Sequence, residues 1–164
     1  MNSGLIIIGS APCFGADLLK ILNKVWDWDY MAIGLDAINK HPGRIEYMAT
    51  YHPLDIKEAL SRRAKAGGNT DYNVISHQPG ENIDIIYPYK APSGSSALLG
   101  VLAGIKLGYD KIILCGCPMD IGNYQQFQQG WQAHLDEYIG KVRSMSGWTK
   151  EFLGEPTDEW LAEE

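Results

Sequence analysis

Short apolar runs alternate with amphipathic segments along the first 120 residues of this chain. The first run, Leu5–Ile8, is uninterrupted and rich in isoleucine, which is typical of a buried parallel strand rather than of one strand of a surface hairpin. Residues 15–23 come next, with apolar side chains at positions 18, 19, 21 and 22. That spacing predicts an amphipathic helix packed on a sheet. Repeated strand–helix alternation predicts a parallel α/β sheet with helices on both faces.

Five further strands and two further helices follow the same pattern. The strands are predicted at residues 29–34, 44–50, 72–76, 83–87 and 111–115, and the helices at 55–65 and 97–107. We therefore predict a Rossmann-like, mainly parallel sheet of about six strands. From about Tyr124 the sequence is rich in glutamine and predicts a polar helix through about Val142, followed by an acidic terminal helix or tail. The chain thus divides into a core, residues 1–123, and a helical C-terminal extension, residues 124–164.

The composition is that of a globular protein with one hydrophobic core. The chain has 164 residues, of which 45% are hydrophobic and 21% are charged, and a chain of this length buries about two-thirds of its unfolded surface. The formal net charge is −6, but residues 150–164 contain one lysine and six carboxylates, so the other residues together carry only −1. A basic stripe for duplex nucleic acid is absent. A single nucleotide remains a candidate ligand, because backbone N–H groups and helix N-termini bind phosphates.

The cysteines and the N-terminal region favour a cytoplasmic protein without a metal site. Three cysteines do not form a disulfide framework in a chain of this length. Cys115 and Cys117 lack the partners that a zinc site requires, and Cys115 is interpreted as a small core residue. The run Leu5–Ile8 is short and follows no basic segment, so it does not predict a signal peptide. We expect a cytoplasmic chain that contacts neither a membrane nor duplex nucleic acid.

Two glycine- and serine-containing turns are candidate phosphate-binding loops, because ligands of open α/β sheets bind beyond the carboxyl ends of the strands. The first turn consists of Gly9, Ser10, Ala11 and Pro12. Its glycine would let the backbone approach an anion, although it matches neither GxGxxG nor a Walker A loop, and an ordinary βα turn is the alternative. The second turn consists of Ser93, Gly94, Ser95 and Ser96. Its serines would bind a phosphate or ribose, or simply cap the following helix.

Polar side chains at the other predicted strand ends complete the set of candidates. His52 is the candidate catalytic residue, as a general base or as a group that stabilises a leaving phosphate; a structural or solvated loop histidine is the alternative. Pro53 restricts His52 to an extended backbone. The other candidate ligand contacts are Asp36, Asn39, Ser76, His77, Asp120 and Arg143. Asp36 would bind a ribose hydroxyl or Mg²⁺, or cap a turn, and Arg143 would bind a phosphate or interact with a helix dipole.

These residues are arranged as in two known groups of proteins. The matching segments read LIIIGSAP at 5–12, GLDAIN at 34–39, YHP at 51–53, SGSS at 93–96 and LGYDKIIL at 107–114. Over residues 4–120, and most strongly over 93–120, the chain resembles the Rossmann-like core of the DUF115 group, which includes archaeal 6-hydroxymethylpterin pyrophosphokinases. It is also similar to the bacterial sialyltransferases of glycosyltransferase family 42.

The resemblance implies a small transferase that uses a nucleotide-activated donor, such as a nucleotide sugar. Gly9 and Ser10 would then match the nucleotide-phosphate turn, and Asp36 and Asn39 would match residues near the base or ribose. The loop 93–96 would be the second nucleotide contact, and His52 the counterpart of the catalytic histidine of the sialyltransferases. Those sialyltransferases need no metal, whereas pyrophosphokinases need Mg²⁺ for phosphoryl transfer.

The chain is shorter than either kind of transferase, and its extension matches neither of them. Compact cores of this type also occur in phage and prophage proteins, and such an origin would account for the missing lid. One alternative is a nucleotide- or phosphate-binding module without chemistry. Another is an interaction protein that forms homo-oligomers through an aromatic-rich extension. The residues behind that alternative are Phe127, Trp131, Trp148, Phe152, Leu153 and Trp160.

Overall fold

Seven parallel strands form one sheet in the computed structural model, which describes residues 4–89, 95–120 and 122–164. The strands are β1 (Leu5–Ile8), β2 (Asp29–Ile33), β3 (Tyr47–Ala49), β4 (Asn73–Ser76), β5 (Ile85–Ile86), β6 (Ile112–Cys115) and β7 (Val142–Ser144). The α-helices of the described ranges are α1 (Phe14–Ile21), α2 (Gly34–Ala37), α3 (Ile56–Lys65), α4 (Ser96–Lys106), α5 (Gln128–Ala133), α6 (Leu135–Tyr138), α7 (Gly147–Leu153) and α8 (Asp158–Ala162). The predicted fold class, a Rossmann-like α/β sheet, is confirmed.

The order of the strands reverses at the centre of the sheet. The sheet runs β5-β4-β3-β2-β1-β6-β7, so the chain adds β2 to β5 on one side of β1 and then returns to place β6 on its other side. Leu5 of β1 pairs with Asp29 of β2 and with Ile112 of β6, both in parallel register. In open α/β sheets the ligand cleft forms where two neighbouring connections diverge in this way. The space beyond the carboxyl ends of β1 and β6 is therefore the expected position of a site.

Successive side chains of each strand lie on opposite faces of the sheet, so the sheet is covered by two apolar layers, one on each face. On one face lie Leu5, Ile7 and Met31 with helix α4 and the aromatic residues of the extension. On the other lie Ile6, Ile8 and Tyr30 with α1, α3 and Trp160. These two layers are what the uninterrupted apolar runs of the sequence predicted, because a strand covered on both faces has no polar side.

Helix α4 lies directly on the sheet, because glycines on its sheet-facing side allow a close approach. A Cβ atom added to Gly100 would stand 2.8 Å from Cδ1 of Ile33, and one added to Gly104 would stand 3.0 Å from Cδ2 of Leu5. A larger residue at either position would push the helix away from the strands. The close packing fixes the direction of α4, and with it the position of its N-terminus at the carboxyl edge of the sheet.

Helix α1 packs on the sheet through Leu18 and Ile21 of its predicted apolar face, but not through Leu19. Its buried residues are Phe14, Asp17 and Ile21, spaced three and four residues apart, whereas Leu19 is 76% exposed. The prediction that Leu19 packs on the sheet is therefore wrong. Asp17 shares the buried face because of its hydrogen bonds, and apolar periodicity does not detect a buried carboxylate.

The C-terminal extension contains a strand that the sequence did not predict. β7 pairs in parallel with β6, with Val142 opposite Ile112. It has only three residues, of which Arg143 and Ser144 are polar, so its apolar signal is too short to be recognised. Because β7 is part of the sheet, the extension contributes to the same structure as the core.

Aromatic residues of the extension pack within the chain itself. Trp131 is fully buried and Trp160 is 4% exposed, while Trp148 and Phe152 stack on each other with ring centroids 4.6 Å apart. The expectation of a homo-oligomer relied on these residues being uncovered, so it stays a prediction without that support. In the described ranges, no helix combines the length and the apolar character needed to cross a membrane.

Candidate functional site

A cleft of about 470 Å³ opens where the strand order reverses. Four segments meet there, and each follows a strand or begins a helix: residues 9–12 after β1, 33–36 after β2, 116–119 after β6 and 95–97 at the start of α4. Four further side chains complete the lining: His52, Asp55, Tyr124 and Phe127. The cleft lies where the topology of an α/β sheet directs a ligand.

The floor of the cleft is formed by two backbone turns that almost touch. The N–H of Gly9 donates to the carbonyl of Cys115 at 2.8 Å, and the N–H of Ala11 donates to the carbonyl of Gly116 at 3.2 Å. A Cβ atom on Gly9 would stand 2.2 Å from the carbonyl oxygen of Gly116. Gly116 has φ +72, a conformation that side chains with a Cβ rarely adopt. Glycine is therefore required on both sides of the gap.

The buried carboxylate of Asp17 fixes the turn after β6. Asp17 is 1% exposed, and its Oδ2 accepts the N–H of Gly116 at 2.9 Å. Its Oδ1 accepts the hydroxyl of Ser146, which follows β7. One side chain of α1 thus connects the turns after β6 and β7, and the turn after β6 depends on the extension for its position.

The turn that carries His52 is fixed by Thr50. The Oγ1 atom of Thr50 accepts the N–H of His52 at 2.9 Å, and the carbonyl of Thr50 accepts the hydroxyl of Ser76 at 2.8 Å. The chain then enters the 3₁₀ helix Pro53–Asp55, in which the N–H of Asp55 donates to the carbonyl of His52 at 3.1 Å. His52 is held through its backbone N–H and carbonyl, and its exposed side chain lines the cleft.

The N-terminus of helix α4 opens into the cleft. Ser95 is the N-cap: its Oγ accepts the N–H of Leu98 at 3.4 Å, and its carbonyl accepts the N–H of Leu99 at 3.0 Å. Ser96 and Ala97 lie in the first turn of the helix, where backbone N–H groups have no partner within the helix. Both residues line the cleft. They are therefore suited to an anion, because the helix dipole adds to the two donors.

The first turn of α4 is attached to the strand that carries His52. The Oγ atom of Ser96 accepts the N–H of Tyr51 at 2.9 Å. The hydroxyl of Tyr51 in turn donates to the carbonyl of Tyr89 at 2.9 Å. His52 and the helix N-terminus are thus fixed relative to each other through one residue.

Two carboxylates line the cleft, Asp36 after β2 and Asp55 beside His52. Mg²⁺ in nucleotide sites is held by one or two carboxylates together with phosphate oxygens and water. Among the described residues, no group of three or more histidines, cysteines or acidic residues is arranged to hold a metal ion. Asp36 and Asp55 therefore fit Mg²⁺ only as part of a complex with the phosphates of a ligand.

Eight of the predicted site residues line this one cleft. They are Gly9, Ser10, Ala11, Pro12, Asp36, His52, Ser95 and Ser96. Two more, Ser93 and Gly94, lie outside the described residues. Residues separated by more than 80 positions in the sequence thus face the same space, as the shared carboxyl edge of the strands predicted.

Five of the residues predicted to contact the ligand do not line this cleft. In the part of the chain that the structure describes, each of them contacts another part of the protein instead. Ser76 is buried and supports Thr50, and His77 stacks on Tyr51 with ring centroids 3.9 Å apart. The amide of Asn39 donates to the carbonyl of Arg62 at 3.2 Å. Asp120 accepts the N–H of Trp148 at 3.0 Å and lines a second, more open cavity beside the first. Arg143 packs over Trp160, 5.2 Å from the ring centroid.

Sequence reasoning missed several side chains of the cleft, among them Asp55, Tyr124 and Phe127. Tyr124 and Phe127 come from the 3₁₀ helix Gly122–Phe127, in the segment assigned to the extension. Asp55 was assigned to the start of a helix. A signal was present in each case: Asp55 is three residues from His52, and Tyr124 and Phe127 are aromatic residues in an otherwise polar stretch.

The thiol of Cys117 is part of the cleft wall. Cys117 is 3% exposed, and its Sγ donates weakly to the carbonyl of Cys115 at 3.7 Å. Burial, followed by the nearby Cys13 and Asp17, raises the pKa of the Cys117 thiol well above its usual range. The thiol is therefore neutral near pH 7 and is not activated as a nucleophile.

Comparisons with protein-family models, curated proteins and solved structures found no significant match to this chain. The resemblance to the DUF115 group and to the family 42 sialyltransferases therefore stays a prediction. The function must be inferred from the residues of the cleft itself.

Proposed function

We propose that this chain binds a nucleotide in the cleft between β1 and β6 and transfers a group from a nucleotide-activated donor. The observation that supports binding most directly is the meeting of three βα turns and the N-terminus of α4 at the point where the strand order reverses. Dinucleotides and mononucleotides bind at this position in many doubly wound sheets. A nucleotide of ordinary size is compatible with a cleft of about 470 Å³.

The lining assigns a place to each polar part of a nucleotide. A phosphate would accept the N–H groups of Ser96 and Ala97 at the start of α4. The ribose hydroxyls would donate to the carboxylate of Asp36, which follows β2, the strand whose end provides the ribose contact in Rossmann folds. Gly9 would let the backbone approach the phosphates closely.

His52 is the proposed catalytic residue. An imidazole that lines the cleft beside the anion site is suited to take the proton from an acceptor hydroxyl. The acceptor oxygen would form a bond to the transferred group as the bond between that group and the donor phosphate breaks. The electron pair of the broken bond leaves with the nucleotide, whose developing charge the N-terminus of α4 stabilises.

Binding is tested by a thermal-shift panel of nucleotides and nucleotide sugars, with and without Mg²⁺. A ligand present at 100 times its Kd adds about 2.7 kcal/mol to the free energy of unfolding, which corresponds to a rise of several degrees in Tm for a chain of this size. We expect one nucleotide class to give this rise. If no nucleotide or nucleotide sugar raises Tm under either condition, the proposed function is wrong.

Catalysis is tested by replacing His52 with asparagine. We expect H52N to keep the nucleotide-induced rise in Tm and to lower product formation by about 100-fold or more, because a positioned general base contributes about 10²–10⁴ to the rate. Product is measured by chromatography of the released nucleotide after incubation with donor and acceptor. The matched control is H134N, since His134 lies outside the cleft, and it should keep full turnover. Equal turnover in H52N and the control, or recovery of unchanged donor with the native chain, would contradict the catalytic assignment.

A further inference from the structure

Tyr124 and Phe127 form an aromatic wall on one side of the cleft. Both lie in the 3₁₀ helix Gly122–Phe127, three residues apart, and a 3₁₀ helix has three residues per turn, so the two rings project from the same side. Their centroids are 5.9 Å apart and their planes are inclined by 59°. The two rings line the same cleft as His52 and the start of α4.

The backbone around the wall is held in place on its cleft side. The side-chain amide of Gln128 donates to the carbonyl of Met119 at 2.9 Å, so the two ends of the segment are connected. Met119 is 6% exposed and has φ +57, a conformation that is rare for a residue with a long side chain. Strained backbone of this kind persists where the surrounding structure fixes it, and it is concentrated at binding sites.

The two rings differ in their burial. Phe127 is half-buried and packs against the apolar core, whereas Tyr124 is 49% exposed although it lines the cleft. The exposed surface of Tyr124 is therefore available to a molecule in the cleft. Phe127 supports it from behind, because it is fixed to the core.

The cleft is chemically divided. Its polar groups, Asp36, His52 and the first turn of α4, come from the core, while the aromatic wall comes from the extension. A nucleotide has the same division: a phosphate and ribose that need hydrogen bonds, and a flat ring that gains by stacking on aromatic side chains. The base is the aromatic part of a nucleotide, so it is the part suited to stack on this wall.

We propose that Tyr124, supported by Phe127, stacks on the base of the bound nucleotide and thereby makes a nucleotide bind more tightly than a phosphate ligand without a base. This proposal rests on the proposed nucleotide-binding function and assigns the part of the ligand that the polar groups leave without a contact. Tyr124 and Phe127 belong to the C-terminal extension, so the proposal also gives the extension a role in binding. The extension is the part of the chain that resembles neither group of transferases.

The test measures the Kd of AMP, GMP, CMP and UMP by isothermal titration calorimetry for four forms of the full chain. These are the native sequence, Tyr124→Ala, Tyr124→Phe and the control Trp26→Ala. Trp26 is an aromatic residue that is 76% exposed and does not line the cleft. For the nucleotide that binds the native chain, we expect Y124A to weaken binding about 10-fold or more, the effect of losing one stacking contact. Y124F keeps the ring and should change Kd by less than about 2-fold, as should W26A.

A second ligand separates stacking from a general change in the cleft. Ribose 5-phosphate has no base, so Y124A and the native chain should bind it alike. The stacking proposal is overturned if Y124A binds the nucleotide as tightly as the native chain does. It is equally overturned if Y124A weakens the binding of ribose 5-phosphate by the same factor as it weakens the binding of the nucleotide. It is also overturned if Y124F is as weak as Y124A, because the ring would then not be the contact. If the native chain binds none of the four nucleotides, the proposed function itself fails, and this result differs from all the others.

Discussion

Replacing Gly9 by alanine is expected to lower the free energy of unfolding by about 3 kcal/mol or more, the upper part of the range for overpacked sites. The added Cβ atom would stand 2.2 Å from the carbonyl oxygen of Gly116 and 2.6 Å from Sγ of Cys117. The carbonyl belongs to backbone that Asp17 holds in place, so it cannot move aside without breaking that hydrogen bond. We expect a fall in Tm of about 10 °C, together with loss of any nucleotide-induced stabilisation, measured by calorimetry with and without ligand.

Gly15→Ala is the matched control for this change. Gly15 lies in α1, six residues from Gly9, and a Cβ atom there would meet nothing within 4 Å. The same methyl group should leave Tm unchanged or raise it, because alanine at a helical position adds up to about 1 kcal/mol relative to glycine. If G9A were as stable as G15A, the turns after β1 and β6 would not approach each other as closely as described, and the proposed floor of the cleft would be wrong.

Removal of residues 142–164 is expected to abolish cooperative unfolding altogether. The truncation deletes β7, the hydroxyl of Ser146 that Asp17 accepts, and the buried ring of Trp160. Loss of one buried tryptophan costs about 3–5 kcal/mol, and a typical domain has only about 5–15 kcal/mol in total. Circular dichroism during heating should therefore show a gradual change without a transition, where the full chain shows a sharp one.

The control for the truncation removes negative charge without removing packing. Glu151 and Glu159 are both exposed, so E151Q/E159Q should unfold within about 0.5 kcal/mol of the native chain, as surface substitutions usually do. A truncated chain with a sharp transition would show that the preceding residues form a self-sufficient core. In that case the division at residue 123 that the sequence suggested would describe two separate units.

The sequence predicted those parts of the fold that depend on local patterns. Each of the six predicted strands is present, although several are shorter, such as 44–50, which is reduced to Tyr47–Ala49. An apolar run signals a buried strand wherever it occurs, and the ends of parallel strands meet at one edge whatever their order. Gly9, Asp36 and His52, which follow three different strands, for this reason line a common cleft.

The parts that were missed depend on neighbours that are distant in the sequence. Asp17 is buried because Gly116 and Ser146 provide its donors, and nothing in the sequence of α1 indicates them. Arg63 is likewise 1% exposed because carbonyl groups of Ile38 and Gly43 surround its guanidinium. Asp120 follows β6 as predicted, yet it caps the N–H of Trp148 and faces a different cavity. Such contacts are decided by the packed structure rather than by the segment that carries the residue.

The hydrogen bond between Ser146 and Asp17 also bears on when the protein becomes functional during its synthesis. The two residues are 129 positions apart, and the bond from Gly116 to Asp17 spans 99 positions. A ribosome releases the chain from its N-terminus, so β1 and its glycine turn emerge long before the partners that complete the floor of the cleft. Closing loops of this length makes folding slow compared with that of helical proteins of the same size. The nascent chain therefore exposes the apolar strand β1 without a finished cleft, and the cleft is complete only after β7 has joined the sheet.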